Sequence, residues 1–445
     1  QSQRWSIRRG SHVILTNPDM LHLGILPYHT SWREFFRELK YVVIDEMHVY
    51  TGVFGAHTAN VIRRLRRIAG EYGAEPTFLC CSATVGNPRE LAEQLTGLPQ
   101  RLVDDDGAPR GRKTLLLWNP PLLDQALGQR RSANMEAAEM LAHLVQREVR
   151  TLVFTLSRSQ TELILRYARE RLAAVGLERS VMPYRGGYLP EERRAIERQL
   201  FDGDLLGVVA TSALELGIDI GNLDAVVMAG YPGRISSFWQ RAGRAGRRQG
   251  DSLAVLVSLP TSGVDQYIVG HPDYLFDHSQ EHVLVDPHNP YILAGHLMCA
   301  AYELPISSEE ESLFGPSTEE LLTLLESERY VIRRQRWYWL DPDVYPAALI
   351  NIRSVSGAGY DIILRPPVGQ ERLLGTIDDR AAFALVHPGA IYLHEGETYL
   401  VKELDLAQRR AVVVPTTADY YTQALSVSEV SVLDVETDLD AGDDL

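Results

Sequence analysis

The sequence predicts an α/β fold in which two parallel-sheet domains are followed by a winged-helix-like domain and a small β-rich domain, and three features support it. Short runs rich in Val, Ile and Leu recur at 41–44, 77–81, 152–156, 207–210, 225–229 and 253–259, with few polar residues inside them. Strands that are apolar throughout, without alternation, are covered on both faces, as parallel strands are. Helix-period stretches lie between several of them, at 55–68, 134–146, 160–174 and 190–201, which gives the strand–helix alternation of parallel α/β units. After Pro260 the pattern changes to helical runs at 291–302 and 318–327, a strand-like stretch at 330–340, and then short strands with Gly and Pro turns.

At 445 residues the chain is too long for one hydrophobic core. We divide it into a first, incomplete parallel-sheet domain with its linker (1–130), a second parallel-sheet domain (131–262), a winged-helix-like domain (263–345), a β-barrel or sandwich (346–433) and an acidic tail (434–445). The turn Asp104-Asp105-Asp106-Gly107 and the break Asn119-Pro120-Pro121 mark the first linker. No apolar run approaches the ~18 residues of a membrane span, so nothing reads as a membrane anchor and no membrane is expected. Gln1-Ser2-Gln3-Arg4-Trp5 lacks the apolar core of a secretory signal and reads as an interior start. Cys80, Cys81 and Cys299 are too few for a disulfide framework or a paired zinc site, and a reducing cytoplasm is expected. The net charge of −15 argues against nonspecific coating of nucleic acid, although phosphate affinity depends on local basic surface.

Four motifs carry chemistry. Asp45-Glu46-Met47-His48 follows the apolar run 41–44, and a carboxylate at the carboxyl end of a buried parallel strand lies where α/β proteins bind ligands. Asp45 would hold Mg²⁺ through water and Glu46 would orient or deprotonate an attacking water, the division of labour that phosphoryl transfer requires; taken alone, these four residues equally fit a plain strand end with a solvated acid pair. Ser82-Ala83-Thr84 closes the next strand, where its hydroxyls would bond His48 or the acid pair. The third motif is the run from Ala210 and Thr211 to Ile220. The fourth is Gln240-Arg241-Ala242-Gly243-Arg244-Ala245-Gly246-Arg247, where arginines every three residues would share a helix face and call for a polyphosphate to balance them.

In order and spacing this set resembles superfamily-2 helicases, with Asp45 to His48 as motif II, Ser82 to Thr84 as motif III, Thr211 to Asp219 as motif V and Gln240 to Arg247 as motif VI. Thr16-Asn17-Pro18-Asp19-Met20-Leu21 and Tyr184-Arg185-Gly186-Gly187-Tyr188-Leu189-Pro190 are similar to the mitomycin repair factor A group of DNA repair helicases. The resemblance covers residues 11 to about 260 and implies two RecA-like lobes that hydrolyse ATP, with Mg²⁺, while gripping one strand of DNA by its phosphates. It implies Glu46, Asp45, His48, Arg244 and Arg247 as catalytic, the last two as arginine fingers, and Gly217, Asp219, Gln240 and Arg241 as nucleotide-binding. Thr16, Asn17, Arg185, Gly187 and Thr211 would touch the nucleic-acid backbone. Ser82 and Thr84 would couple the two events. Asn17 would also cap a helix that starts at Pro18. Protein partners are left undefined.

A motor of this type needs a Gly-rich loop ending in Gly-Lys-Ser/Thr, and the sequence has none; Gly107 to Thr114 is on the wrong side of motif III. The expectation is that the chain starts inside the first lobe and hydrolyses little ATP alone. The four-cysteine metal region of the family is also lacking. An ATP-independent module that binds nucleic acid or protein, and a motor directed at RNA, remain the rival readings. Val61-Ile62-Arg63-Arg64-Leu65-Arg66-Arg67-Ile68 reads as a helix with its arginines on a solvated face. Arg333 to Trp339 fits a single-strand platform and a strand with core aromatics equally well. His271, His278, His282 and His288 lack ligand spacing and read as loop histidines.

Overall fold

The computed structural model describes residues 10–83, 85–105, 107, 111–184, 190–215, 223–246, 250–277, 280–353, 359–366, 370–377, 379–394, 397–416, 418, 420 and 422. Two units are distinguished, Gln1–Gly357 and Ala358–Leu445. Among the described residues no helix is long and apolar enough to cross a membrane.

In the first lobe, β1 (Tyr41–Ile44) and β2 (Thr77–Cys80) form a two-stranded parallel sheet. Ile44 and Phe78 turn inward to the long helix α1 (Gly52–Glu71) and to α2 (Pro88–Thr96). The opposite face is bare, with Tyr41 63%, Val43 62% and Leu79 47% exposed. Parallel sheets are normally covered on both sides, so this face is apolar surface of the kind that a further layer covers.

The second lobe is a six-stranded sheet in which every neighbouring pair is parallel. Its strands are β3 (Lys113–Trp118), β4 (Thr151–Phe154), β5 (Val181–Tyr184), β6 (Gly207–Ala210), β7 (Ala225–Ala229) and β8 (Ser252–Val257), in the order β3-β8-β7-β4-β6-β5. Successive side chains of a strand point to opposite faces. Val153, Val209 and Val227 accordingly pack on α3 (Ala133–Val145) and α4 (Arg158–Leu172). Leu152, Val208 and Val226 pack on the other side with Ile196 and Leu200 of α5 (Pro190–Asp202) and Phe238 of α6 (Ile235–Ala242). The chain enters this sheet earlier than the expected boundary near 130, because β3 lines up along β8 as an edge strand. The Lys113 ammonium donates to the Ala242 carbonyl at 2.8 Å, so this lysine serves the end of a helix.

The winged-helix-like region has α7 (Pro290–Glu303), α8 (Thr318–Ser327) and a hairpin of β9 (Val331–Arg333) and β10 (Trp337–Trp339). Leu293, Leu297, Phe314, Leu322 and Trp337 form its core. Trp337 is therefore a core aromatic, with the Arg333 guanidinium 5.1 Å above its ring, while Arg334 and Arg336 are exposed at the hairpin tip.

The arginines of α1 depart from the expected solvated face. Arg63 and Arg64 are buried: Arg64 meets Glu303 and His296 of α7, while Arg63 reaches carbonyls of Gln94 on α2 and of Leu313. Both side chains of the Arg64–Glu303 pair are fully buried, with Nε to Oε2 at 3.1 Å and a second, shorter contact from Nη2 to Oε1. Arg63 donates to the carbonyls of Leu313, Ala59 and Gln94, and Arg67 to those of Ala300, Leu304 and Pro305 and to Glu310. The bonds to Leu313, Ala300, Leu304, Pro305 and Glu310 fasten the winged-helix region to the first lobe.

Around this pair the histidine tautomers follow from the donors. Arg64 Nη1 donates to Nδ1 of His22 (2.8 Å) and of His296 (3.2 Å). Nε2–H of His22 is then left for the Ala347 carbonyl at 3.0 Å, and Nε2–H of His296 for Nδ1 of His57 at 3.0 Å. Burial and then the Arg64 charge push His22 down to about 3 and His296 well below its ordinary value.

The second unit differs from the expected barrel or sandwich. Its described strands form one five-stranded mixed sheet: β11 (Tyr360–Leu364), β12 (Arg372–Ile377), β13 (Ile391–His394), β14 (Glu397–Asp405) and β15 (Arg410–Pro415), in the order β12-β11-β15-β14-β13. Tyr360, Ile362, Val401, Ala411 and Val413 share one face and bury it with Ala382 and Val386, from or next to the helix Asp379–Leu385. A helix thus takes the place of a second sheet. The acidic tail 434–445 is outside the described residues.

Glu303→Gln leaves a buried guanidinium without its counter-charge, so urea unfolding should show a loss of about 3–5 kcal/mol; a change under 1 kcal/mol would contradict the assigned pair. His22 and His296 bind fewer protons folded than unfolded below pH 6.5. Stability should therefore be full above that pH and fall toward pH 3, each such ring adding about 1.4 kcal/mol per pH unit. His22→Gln should flatten the slope.

Candidate functional site

The site starts where β1 ends. The ladder to β2 continues past both strands, with Cys81 N–H donating to the Ile44 carbonyl at 2.8 Å and Met47 N–H to the Cys81 carbonyl at 2.9 Å. Between these bonds the backbone turns sharply: Glu46 has φ 47° and ψ 45°, left-handed values uncommon outside glycine. Asp45 Oδ1 accepts the Glu46 N–H at 2.9 Å. The turn leaves Asp45 exposed and Glu46 partly so. Among the described residues no group of three His, Cys, Asp or Glu side chains could enclose a metal ion.

His48 joins the two lobes. Its Nδ1 lies 3.1 Å from Ser82 Oγ and 3.5 Å from Glu46 Oε2, and its Nε2 is 2.7 Å from Gln240 Nε2. With the amide nitrogen of Gln240 donating, Nε2 accepts and the ring proton is on Nδ1, where it donates to Ser82. Burial lowers the His48 pKa, opposed by the charges of Glu46, Glu215 and Asp45, which agrees with a neutral ring.

Arg241 and Arg244 of motif VI do not share one helix face. α6 stops at Ala242, and Arg244 lies in the following turn. Both Arg241 and Arg244 are buried. The Arg241 guanidinium donates to the Glu215 carboxylate at 2.9 and 2.8 Å and lies 5.1 Å above the Phe154 ring. Arg244 donates from Nε to the Glu215 carbonyl at 3.0 Å and from Nη2 at 2.5 Å. Part of the balancing anion is therefore the protein's own. Arg241 Nη1 is a buried donor without a hydrogen-bond partner among the described residues.

Glu215 was missed because it sits in an apolar run that reads as part of motif V. The signal was available in charge accounting, since buried arginines require an acid nearby and that run carries two, Glu215 and Asp219. Gly217, Asp219, Arg185, Gly187, Thr84 and Arg247 lie outside the described residues. Thr211 is partly buried just before the short turn Ser212–Leu214. Asn17 caps as expected, its side-chain oxygen accepting the Met20 N–H at 2.8 Å with Pro18 opening the helix. Thr16 is exposed beside it. Asp19 pairs with Arg353 at 2.7 Å.

The family model for DEAD/DEAH box helicases matches residues 1–91, the helicase conserved C-terminal domain matches 136–249, and the winged helix domain of ATP-dependent helicase HRQ1 matches 285–355. The chain is 48% identical over 435 residues to the uncharacterized ATP-dependent helicase YprA of Bacillus subtilis, covering 97% of this chain and 58% of that protein. It is 37% identical over 446 residues to ATP-dependent helicase HRQ1 of Saccharomyces cerevisiae, covering 98% of this chain and 41% of the relative. The chain thus spans about half the length of these relatives. In structure it is similar to the DUF1998 helicase MrfA bound to DNA and AMPPNP, with a TM-score of 0.83 at 47% identity, covering 97% of this chain and 60% of that one.

Since the Glu215 charge raises the His48 pKa, Glu215→Gln should lower it further when the ring is titrated by NMR; a rise or no change would contradict the assigned electrostatics. Loss of the buried carboxylate should also cost about 3–5 kcal/mol in urea unfolding, followed through Trp239 fluorescence.

Proposed function

The chain belongs to the DEAD/DEAH-box helicases of superfamily 2, and from that membership we propose that it serves an ATP-driven motor that moves along DNA in DNA repair. The observation that carries this reading is the 2.7 Å contact between His48 and Gln240. It ties the acid pair of one lobe to the arginine-bearing helix of the other. A cleft closed by such a contact changes its opening when the phosphates between the lobes change, and a strand held by both lobes then moves. Relatives solved with DNA support DNA as the track. The proposal concerns the whole protein, since this chain contains no Gly-Lys-Ser/Thr loop.

Asp45 would hold Mg²⁺ through water, and Glu46 would orient or deprotonate the attacking water. When bound, the ion neutralises charge on the β- and γ-phosphate oxygens. Gln240, Arg241, Gly217 and Asp219 line the nucleotide. Arg247 is the principal arginine finger, because Arg244 reaches a phosphate only after releasing the Glu215 carbonyl. Ser82 and Thr84 report the state of the cleft through His48. Thr16, Asn17, Arg185, Gly187 and Thr211 hold the strand by its phosphates, which position it without reading bases.

In the full-length protein, Glu46→Gln should bind ATP but lower DNA-stimulated turnover by about 10²- to 10⁴-fold. Arg247→Ala should lower it by about 10³- to 10⁵-fold. Wild-type rates in both variants, measured with DNA present, would remove the motor reading.

A further inference from the structure

The helix that carries motif VI has a poorly capped start. Its N-cap is Arg234, which makes no side-chain cap hydrogen bond, although the first N–H groups of a helix need acceptors and favour negative charge. The acceptor comes from another part of the chain. Glu281, in the segment leading to the winged-helix region, takes the Ile235 N–H on Oε1 at 2.5 Å and the Ser236 N–H on Oε2 at 3.1 Å. Burial opposes the charged form of this carboxyl, yet its hydrogen bonds, including those from Ser236 and Ile235, hold its pKa below the ordinary value.

The backbone of the same residue faces the first lobe. The Glu281 carbonyl accepts the Gly86 N–H at 3.1 Å, just after Ser82-Ala83. A Cβ at Gly86 would stand 2.2 Å from the Gln280 carbonyl oxygen, so only glycine admits the strap this closely. Asn87 then clamps Val283 in both directions, accepting its N–H at 2.9 Å and donating to its carbonyl at 3.1 Å. Gly52 N–H donates to the Leu284 carbonyl at 2.9 Å. The segment is thus bonded along the first lobe while its one carboxylate reaches the second.

We propose that Glu281 is a positioning residue for ATP hydrolysis, setting the motif VI helix against the loop after motif III so that Gln240 meets His48. This rests on the motor reading above. Glu281 touches no reacting atom; it acts through the helix whose N–H groups it holds. A turnover cycle that opens the cleft must stretch the Glu281 bonds or carry the strap along with the helix.

The test uses the full-length protein. Glu281→Ala should lower DNA-stimulated kcat about tenfold, about 1.4 kcal/mol, with KM for ATP little changed, and Glu281→Gln, which keeps one acceptor oxygen, should fall between. If Glu281 acts through the Gln240 contact, combining Glu281→Ala with Gln240→Ala should be no slower than the worse single variant. Wild-type kcat in Glu281→Ala, or losses that multiply in the double variant, would overturn the proposal. An inactive wild-type protein would instead sink the motor reading, and the positioning role is then read by amide hydrogen exchange. Glu281→Ala should speed exchange at Ile235 and Ser236 and, across the cleft, at Gly86, with the melting temperature nearly unchanged. Gly86 protection left intact would overturn it.

Discussion

A guanidinium taken out of water must be met by an anion or by a full set of acceptors, and this requirement organises the first unit. On α1, Arg63, Arg64 and Arg67 find carbonyls and the carboxylates of Glu303 and Glu310 on the winged-helix side. On and after α6, Arg241 and Arg244 find the carboxylate and the carbonyl of Glu215. The two sets do different work. The first is met by carbonyls and carboxylates of the packed elements around it, so it acts as a fastening. The second leaves Arg241 Nη1 without a partner among the described residues, and its acceptors lie in the run that reads as motif V.

The contact between the lobes is of a softer kind. His48 and Gln240 are joined by a hydrogen bond between neutral groups, and such bonds contribute only about 0.5–1.5 kcal/mol net. A contact of that size aligns two lobes without locking them. The neutral ring is part of the device: burial lowers the His48 pKa, which favours the form in which Nε2 accepts from Gln240 and Nδ1–H addresses Ser82. Strain is concentrated at the same place. Glu46 in the left-handed region costs on the order of 1–3 kcal/mol, and the bonds of Asp45 and Met47 on either side hold the turn in place.

Much of the fold was legible because its signals are local. Apolar runs without alternation marked the strands of the second sheet, helix periodicity marked α3 to α5, and Asn17 before Pro18 marked a cap. The motifs were legible for the same reason, since Asp45-Glu46 and Gln240 to Arg244 are contiguous in the chain. The helical spacing of three arginines was misleading, because Gly243 follows the last helical residue and α6 ends before Arg244. In the second unit, turns and strands were visible, but whether two sheets or a sheet and a helix close the core depends on what Ala382 and Val386 pack against.

What the sequence determined by itself is the order of elements and which polar side chains stand at the ends of the strands, because backbone preference and apolar periodicity act within a few residues. The tertiary structure alone decided which face of α1 is dry, which sheet receives β3, and which acid answers Arg64, Arg241 or the bare start of α6. Those partners are Glu303, Glu215 and Glu281, separated from their targets by tens to hundreds of positions. A charge carries no mark of its distant counterpart in the chain. The pairing is chosen when burial removes water as the alternative, and burial is a property of the packed whole.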